Sequence, residues 1–260
     1  MDPFRFCYAD PAMENPSIRR ICQVEIRVTN LARAVHFYRG CFDWQIHVMN
    51  EEYAIIDTGI EPVGALMVTP SPHWPPGVGN YALVPDCEAA ARLVAERGGK
   101  IFIAKTETGG GAYTGVIDPF GNELLFWQPA RDFAPKLSGS GRHPIVWLEL
   151  PAPDLAQGMA FYRDLLGWRF NTIEEQVDYA VTMDGGFRLG ISLVGGERGG
   201  RMRGVTNYIA TSDLAATATR VLLQGGRIIR ERTVIPGEGT FLLFQDPDGI
   251  RWGAFQAGTP

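Results

Sequence analysis

The sequence predicts an α+β fold built twice over, and three observations carry the prediction. The stretch Leu31–Trp44 (LARAVHFYRGCFDW) returns as Leu155–Trp168 (LAQGMAFYRDLLGW), with L-A, F-Y-R and the closing Trp at identical spacing. Further anchors return in the same order. Asn80-Tyr81 recurs as Asn207-Tyr208, Gly98-Gly99-Lys100-Ile101 as Gly225-Gly226-Arg227-Ile228, and Asp118-Pro119-Phe120-Gly121 as Asp246-Pro247-Asp248-Gly249. The offset grows from 124 to 128 residues only between anchors, as loop insertions do, so the chain reads as a tandem duplication. Within each copy, short runs of period two alternate with two amphipathic helical stretches, in the order β-α-β-β-β twice.

The elements follow from local patterns. Cys22–Val28 alternates, with Cys22, Val24, Ile26 and Val28 facing one way and Gln23, Glu25 and Arg27 the other, which is a strand with one apolar face. Asn30 is an N-cap for a helix to about Gly40, whose Leu31, Val35 and Tyr38 share a face. Strands are expected at Trp44–Met49, Tyr53–Asp57 and Gly64–Thr69, then a Pro-rich loop from Ser71 to Gly77. The second unit has a strand at Tyr81–Val84 and a helix capped by Asp86 and ended by Gly98-Gly99. Strands at Lys100–Thr106, Ala112–Ile117 and Glu123–Gln128 complete it, the last two joined by the Asp118 turn.

Residues 129–143, rich in Pro, Gly and Ser, read as a linker between domains at 18–128 and 144–257. The second domain repeats the plan. Its strands are expected at Ile145–Leu150, Trp168–Thr172, Tyr179–Met183, Arg188–Val194, Tyr208–Thr211, Arg227–Thr233, Thr240–Gln245 and Arg251–Gln256. Its helices follow Asp154 and Asp213. The Gly-rich run 195–204 is a loop but no phosphate loop, because no G-K-[ST] follows a strand there.

Composition narrows the function classes. Hydrophobic residues make up 45% and charged residues 20%, and no apolar run reaches the length of a membrane span. A formal charge of −5 without a basic stripe argues against a nucleic-acid partner. Residues 1–17 read as a polar tail without the basic and apolar regions of a secretory leader. Cys7, Cys22, Cys41 and Cys87 all lie in the first copy, which suits reduced thiols in a cytoplasmic protein better than a duplicated disulfide framework. The histidines 36, 47, 73 and 143 show no metal-ligand spacing.

A strand, then D/N-L-x-x-A-x-x-F-Y, then G-G-K/R, then D-P-x-G before a last strand resembles the vicinal-oxygen-chelate superfamily, the group of glyoxalase I, extradiol dioxygenases and bleomycin-resistance proteins. The resemblance covers about residues 20–257. It is similar to tandem-domain glyoxalase-like proteins of bacteria. The resemblance implies paired βαβββ modules whose mixed sheets curl into cups with helices outside, and two halves that pack as an intrachain pseudo-dimer.

It also implies a metal site of four cup-facing side chains. Carried over, these positions fall on Gln23 and Trp147 in the first strands, near Gly79 and Thr206 in the middle, around Met67 and Ile191, and on Leu125 and Gly253 in the last strands. Of these only Gln23 is a plausible ligand, and a lone amide oxygen does not hold a divalent ion. No cofactor is therefore expected, a divalent metal being the alternative through a nonstandard site.

If the polar strand faces line the cups, Glu25 and Glu149 sit there at equivalent positions as candidate ligand-orienting or general-base groups. The bland alternative is a solvated strand face or an ion pair, Arg27 lying on the same face as Glu25. Gln23, Trp147, Trp127, Phe255, Tyr53 and Tyr179 are the candidate ligand-binding residues, with Tyr113 and Arg188 behind them. The F-Y-R blocks read as core packing. Two functions are expected: a protein that captures a small, partly apolar molecule in a cup, or a lyase or dioxygenase working through a nonstandard metal or a Glu base.

Overall fold

The computed structural model describes residues 20–57, 63–69, 74–130, 144–173, 176–182, 184, 188–193 and 204–258. The tail with Cys7, the loop around His73, the linker from 131 to 143 with His143, and the Gly-rich run up to 203 lie outside the described residues, as do Met183 and Val194.

The first half runs β1 (Ile21–Val28), α1 (Leu31–Phe42), β2 (Gln45–Val48), β3 (Tyr53–Asp57), β4 (Val63–Val68), β5 (Gly77–Leu83), α2 (Cys87–Glu96), β6 (Lys100–Thr108), β7 (Gly111–Ile117) and β8 (Glu123–Pro129). The second half repeats it as β9 (Ile145–Ala152), α3 (Leu155–Leu166), β10 (Asn171–Ile173), β11 (Gln176–Thr182), β12 (Arg188–Leu193), β13 (Thr206–Ala210), α4 (Leu214–Leu223), β14 (Arg227–Ile235), β15 (Gly239–Gln245) and β16 (Arg251–Ala257). Two eight-stranded sheets result, ordered β2-β3-β4-β1-β5-β8-β7-β6 and β10-β11-β12-β9-β13-β16-β15-β14. This is the duplicated α+β plan that the repeat implied.

In each half the two βαβββ units join where their first strands pair antiparallel, β1 with β5 and β9 with β13. Each first strand also runs parallel to the last strand of its own unit. β1 and β9 therefore lie at the centre of their sheets, and side chains on their polar faces meet both units. The helix caps read from the sequence are in place. Asn30, Asp86, Asp154 and Asp213 each accept backbone N–H bonds from the first helical turn.

Among the strand bounds that depart from expectation, two bear on the packing. β5 opens at Gly77 rather than Tyr81, because pairing with β1 recruits Gly77 and Gly79, residues of low strand preference. β10 starts at Asn171, after Trp168, which packs wholly buried against Tyr162.

The helices cover one face of each sheet, over Val24, Ile26 and Val28 in the first half and Leu148 and Leu150 in the second. The core there is continuous between the halves, with α1 against α4 and α2 against α3. The F-Y-R blocks do pack in this core, but their tyrosines also reach the opposite half. The wholly buried Tyr38 donates to Asp246 Oδ2 at 2.7 Å and accepts from Trp252 Nε1 at 2.9 Å. Reciprocally, Tyr162 donates to Asp118 Oδ2 at 2.5 Å. Each Asp also caps its own turn, Asp118 Oδ1 accepting from the backbone of Phe120 and Asn122, and Asp246 Oδ1 from Asp248 and Ile250.

Candidate functional site

The faces turned away from the helices carry the candidates. In the first cup Gln23, Glu25 and Arg27 project from β1 between β4 and β5. Glu25 lies beside Ala65 and Gly79, and Gln23 beside Tyr81. Tyr81 in turn pairs with Leu125, and Trp127 with Tyr113. The register thus brings Gln23, Glu25 and Trp127 onto one surface, with Tyr53 entering from β3 opposite Met67. Gln23, Tyr53, Tyr113 and Trp127 are part-exposed.

Glu25 is only 6% exposed. Its Oε1 accepts from the Tyr81 hydroxyl at 3.2 Å. Burial raises its pKa above the usual carboxylate range, against the opposing pull of the Arg27 charge and the Tyr81 bond. Arg27 does not form the expected ion pair with Glu25. Its guanidinium makes a two-pronged bridge to Glu123, at 2.7 and 2.9 Å, and lies 4.4 Å from the centre of the Trp74 ring. Glu123 is raised as well, again chiefly by burial. Gln23 bonds the Tyr53 hydroxyl, whose pKa is pushed up by burial and by the nearby Glu25 charge.

The second cup uses the same places differently. Glu149, 9% exposed, accepts from Tyr208 Oη at 3.0 Å, the counterpart of the Glu25–Tyr81 pair. Around it the aromatics close up. Trp147 stacks on Tyr208 at 5.0 Å and meets Tyr179 and Phe255 edge-on at 6.0 and 5.8 Å. Trp147, Tyr179 and Tyr208 are each buried, and only Phe255 is part-exposed. Gly253 permits this arrangement. A Cβ there would stand 2.0 Å from the Tyr208 ring. Arg188 lies over Trp147 and is bridged to Glu238 at 2.7 Å.

The residues at the carried-over metal positions do not fit a divalent ion. In the first cup they supply one amide, Gln23, beside Gly79, Leu125 and the thioether of Met67. In the second, Trp147 and the Tyr208 ring against Gly253 occupy the space with carbon. Ile191 is corrected outright. It pairs with Leu150 and is buried in the helix-side core, so Ser192 takes the cup-facing place, since one residue of register turns a side chain to the other face. Among the described residues no group of three or more His, Cys, Asp or Glu side chains is placed to hold a metal.

Sequence reasoning missed Tyr81 and Tyr208 as partners of the two carboxylates. The signal was present, because Asn80-Tyr81 and Asn207-Tyr208 are themselves repeat anchors. Glu123, Trp74 and Arg251 were missed because nothing local marks them. A separate groove of about 910 Å³ lies on the outer side of α1, between Leu31, Val35, His36, Arg39, Val48 and Glu51. None of the candidates borders it, and it contains no buried charge.

Comparison with known proteins agrees with this architecture. The family model described as Glyoxalase/Bleomycin resistance protein/Dioxygenase superfamily matches twice, over residues 20–126 and 144–253. The protein named "Putative glyoxylase CFP32" from Mycobacterium tuberculosis is 29% identical over 243 residues, covering 87% of this chain and 90% of its own. Two solved structures share the fold. The Mn(II)-bound glyoxalase from Novosphingobium aromaticivorans superposes with a TM-score of 0.62 at 16% identity, covering 92% of this chain and 82% of its own. Homoprotocatechuate 2,3-dioxygenase from Arthrobacter globiformis does so with 0.62 at 19% identity, covering 94% and 83%. Matched by its family model in both halves, the chain belongs to the Glyoxalase/Bleomycin resistance protein/Dioxygenase superfamily.

Proposed function

We propose that the protein captures a small, partly apolar molecule in the first cup, with Glu25 as its polar anchor and Gln23, Tyr53, Tyr113 and Trp127 as its wall. The observation that carries this reading is a buried carboxyl held, among the described residues, by a single hydrogen bond in a mostly apolar, part-open surface. Such a group orients a ligand, because a polar contact made away from water is worth more than one made in it. Glu149 with Trp147, Tyr179 and Phe255 is the equivalent site in the second cup, and its packed rings favour a supporting role. The two halves act as an intrachain pseudo-dimer, supported by the reciprocal Tyr–Asp bonds. A cytoplasmic setting is supported by Cys22, Cys41 and Cys87, which form no disulfide among the described residues; burial pushes the Cys41 thiol up to about 12.

The test is a thermal-shift screen of the whole chain, followed by affinity measurements on Glu25→Gln. Loss of a charged hydrogen bond is expected to weaken binding by about 1.5–3 kcal/mol, roughly ten- to a hundredfold. Wild-type affinity in Glu25→Gln would remove the assignment.

A second reading has one observation behind it. The raised pKa of Glu25 is what a general base needs, so a metal-free lyase reaction begun by proton abstraction fits the same residue. Turnover that persists in chelator and disappears in Glu25→Gln would select this reading over simple capture.

A further inference from the structure

The two cups differ in charge at equivalent positions, and one pair bears on the buried carboxylates. The last-strand residue that is Glu123 in the first half is Arg251 in the second. Arg251 bonds Thr206 Oγ1 at 2.8 Å, and Glu149 acts on its charge, so the second cup holds a base next to its buried acid. In the first cup the base is Arg27, and both of its terminal nitrogens are engaged by Glu123. That bridge is neutral by itself, which leaves Glu25, when ionised, as the net charge of the inner cup among the described residues. Farther out on the same face the described residues add Asp57 on β3 and His47 on β2.

Around Glu25 the wall is aromatic. Tyr81 meets Tyr113 edge-on at 6.3 Å, Tyr53 stands within electrostatic reach, and Trp127 lies beside Tyr113 in the sheet. Ring faces attract cations, and a carboxylate in a poorly solvated place attracts them far more than one in water. An anionic ligand would meet Glu25 and Glu123 as like charges, and the guanidinium beside them, that of Arg27, is engaged by Glu123.

Resting on the reading of the first cup as a small-molecule site, we propose that its ligand is a monocationic amine on an aromatic or apolar body, with its ammonium group on Glu25 and its body against Tyr53, Tyr113 and Trp127. The second cup, with Arg251 at the matching place, does not share this preference.

The experiment uses three probes of similar shape on the whole chain: 2-phenylethylammonium, 2-phenylethanol and phenylacetate. Dissociation constants are read by ligand-observed NMR and by tryptophan fluorescence. The ammonium is expected to bind roughly tenfold or more tightly than the alcohol, with phenylacetate weakest. In Glu25→Gln the preference for the ammonium should collapse to within about twofold, with the alcohol unchanged. On the native chain the same preference should fall as the pH is lowered and Glu25 takes up a proton, a measurement that does not depend on the variant folding. Equal or tighter binding of the alcohol or phenylacetate overturns the cation assignment and leaves the site standing. An ammonium preference that survives in Glu25→Gln overturns Glu25 as the anchor. Binding of none of the three overturns the site reading as well.

Discussion

Tyr38→Phe and Tyr162→Phe remove one atom each, at places related by the repeat, yet they should not cost the same. Tyr162 donates to Asp118 and accepts from Asn122 Nδ2 at 3.2 Å, but Asn122 Nδ2 keeps Asp118 Oδ2 and the Pro151 carbonyl, and Asp118 keeps three other donors: the backbone N–H groups of Phe120 and Asn122 and the Asn122 side-chain amide. Losing one bond to a charged acceptor costs about 1.5–3 kcal/mol. Tyr38 donates to Asp246 but also accepts from the indole N–H of Trp252, a wholly buried residue. Its removal loses the same bond and also strands a buried donor, a further cost of about 1–3 kcal/mol. The expectation is that Tyr38→Phe is the more destabilising by at least about 1 kcal/mol, measured by urea unfolding of the whole chain at neutral pH. The two bonds also join the halves. A double-mutant cycle of Tyr38→Phe with Asp246→Asn should therefore show coupling, with the variants loosening the two halves from each other. Equal costs for the two tyrosines, or both below about 0.5 kcal/mol, would refute the reasoning, because the hydroxyls would then be no better satisfied in the fold than in water.

Three further outcomes are expected. Burial raises the pKa of Glu25, so the stability it contributes is fully present below about pH 4.5 and is lost as the pH rises through its folded-state value. The stability of Glu25→Gln relative to wild type should therefore improve from pH 4 to pH 8, and a gap that does not change with pH counts against a desolvated carboxyl. Gly253→Ala places a methyl group against the Tyr208 ring and should cost about 1–3 kcal/mol while unstacking Trp147, visible as a change in near-ultraviolet dichroism; an unaltered spectrum counts against the packed second cup. Protein purified with neither chelator nor added metal should carry well under one equivalent of divalent ion by elemental analysis. One tightly held equivalent that is lost on Gln23→Ala would contradict the donor-set argument.

The sequence by itself determined the architecture, because its signals are local and occur twice. Alternation in Val24–Val28 and Trp147–Leu150 set which face of each central strand is apolar; a register shift at the start of each strand, which the alternation did not reveal, turns Cys22 and Val146 to the cup side. The caps at Asn30, Asp86, Asp154 and Asp213 set where the helices begin, and the repeated F-Y-R and D-P-x-G anchors set the duplication. Those same alternations put Glu25 and Glu149 on the faces away from the helices. Tertiary structure decided what those carboxylates touch. Arg27 shares a strand face with Glu25 but bridges to Glu123, 96 residues away, because β5 and β8 bring that carboxylate across the sheet. Likewise, no local pattern tells that Tyr38 answers Asp246 across the two halves. The ring packing of the second cup also rests on long-range contacts. Gly253 reads as an ordinary strand glycine until the Tyr208 ring is seen lying in the space its missing side chain leaves.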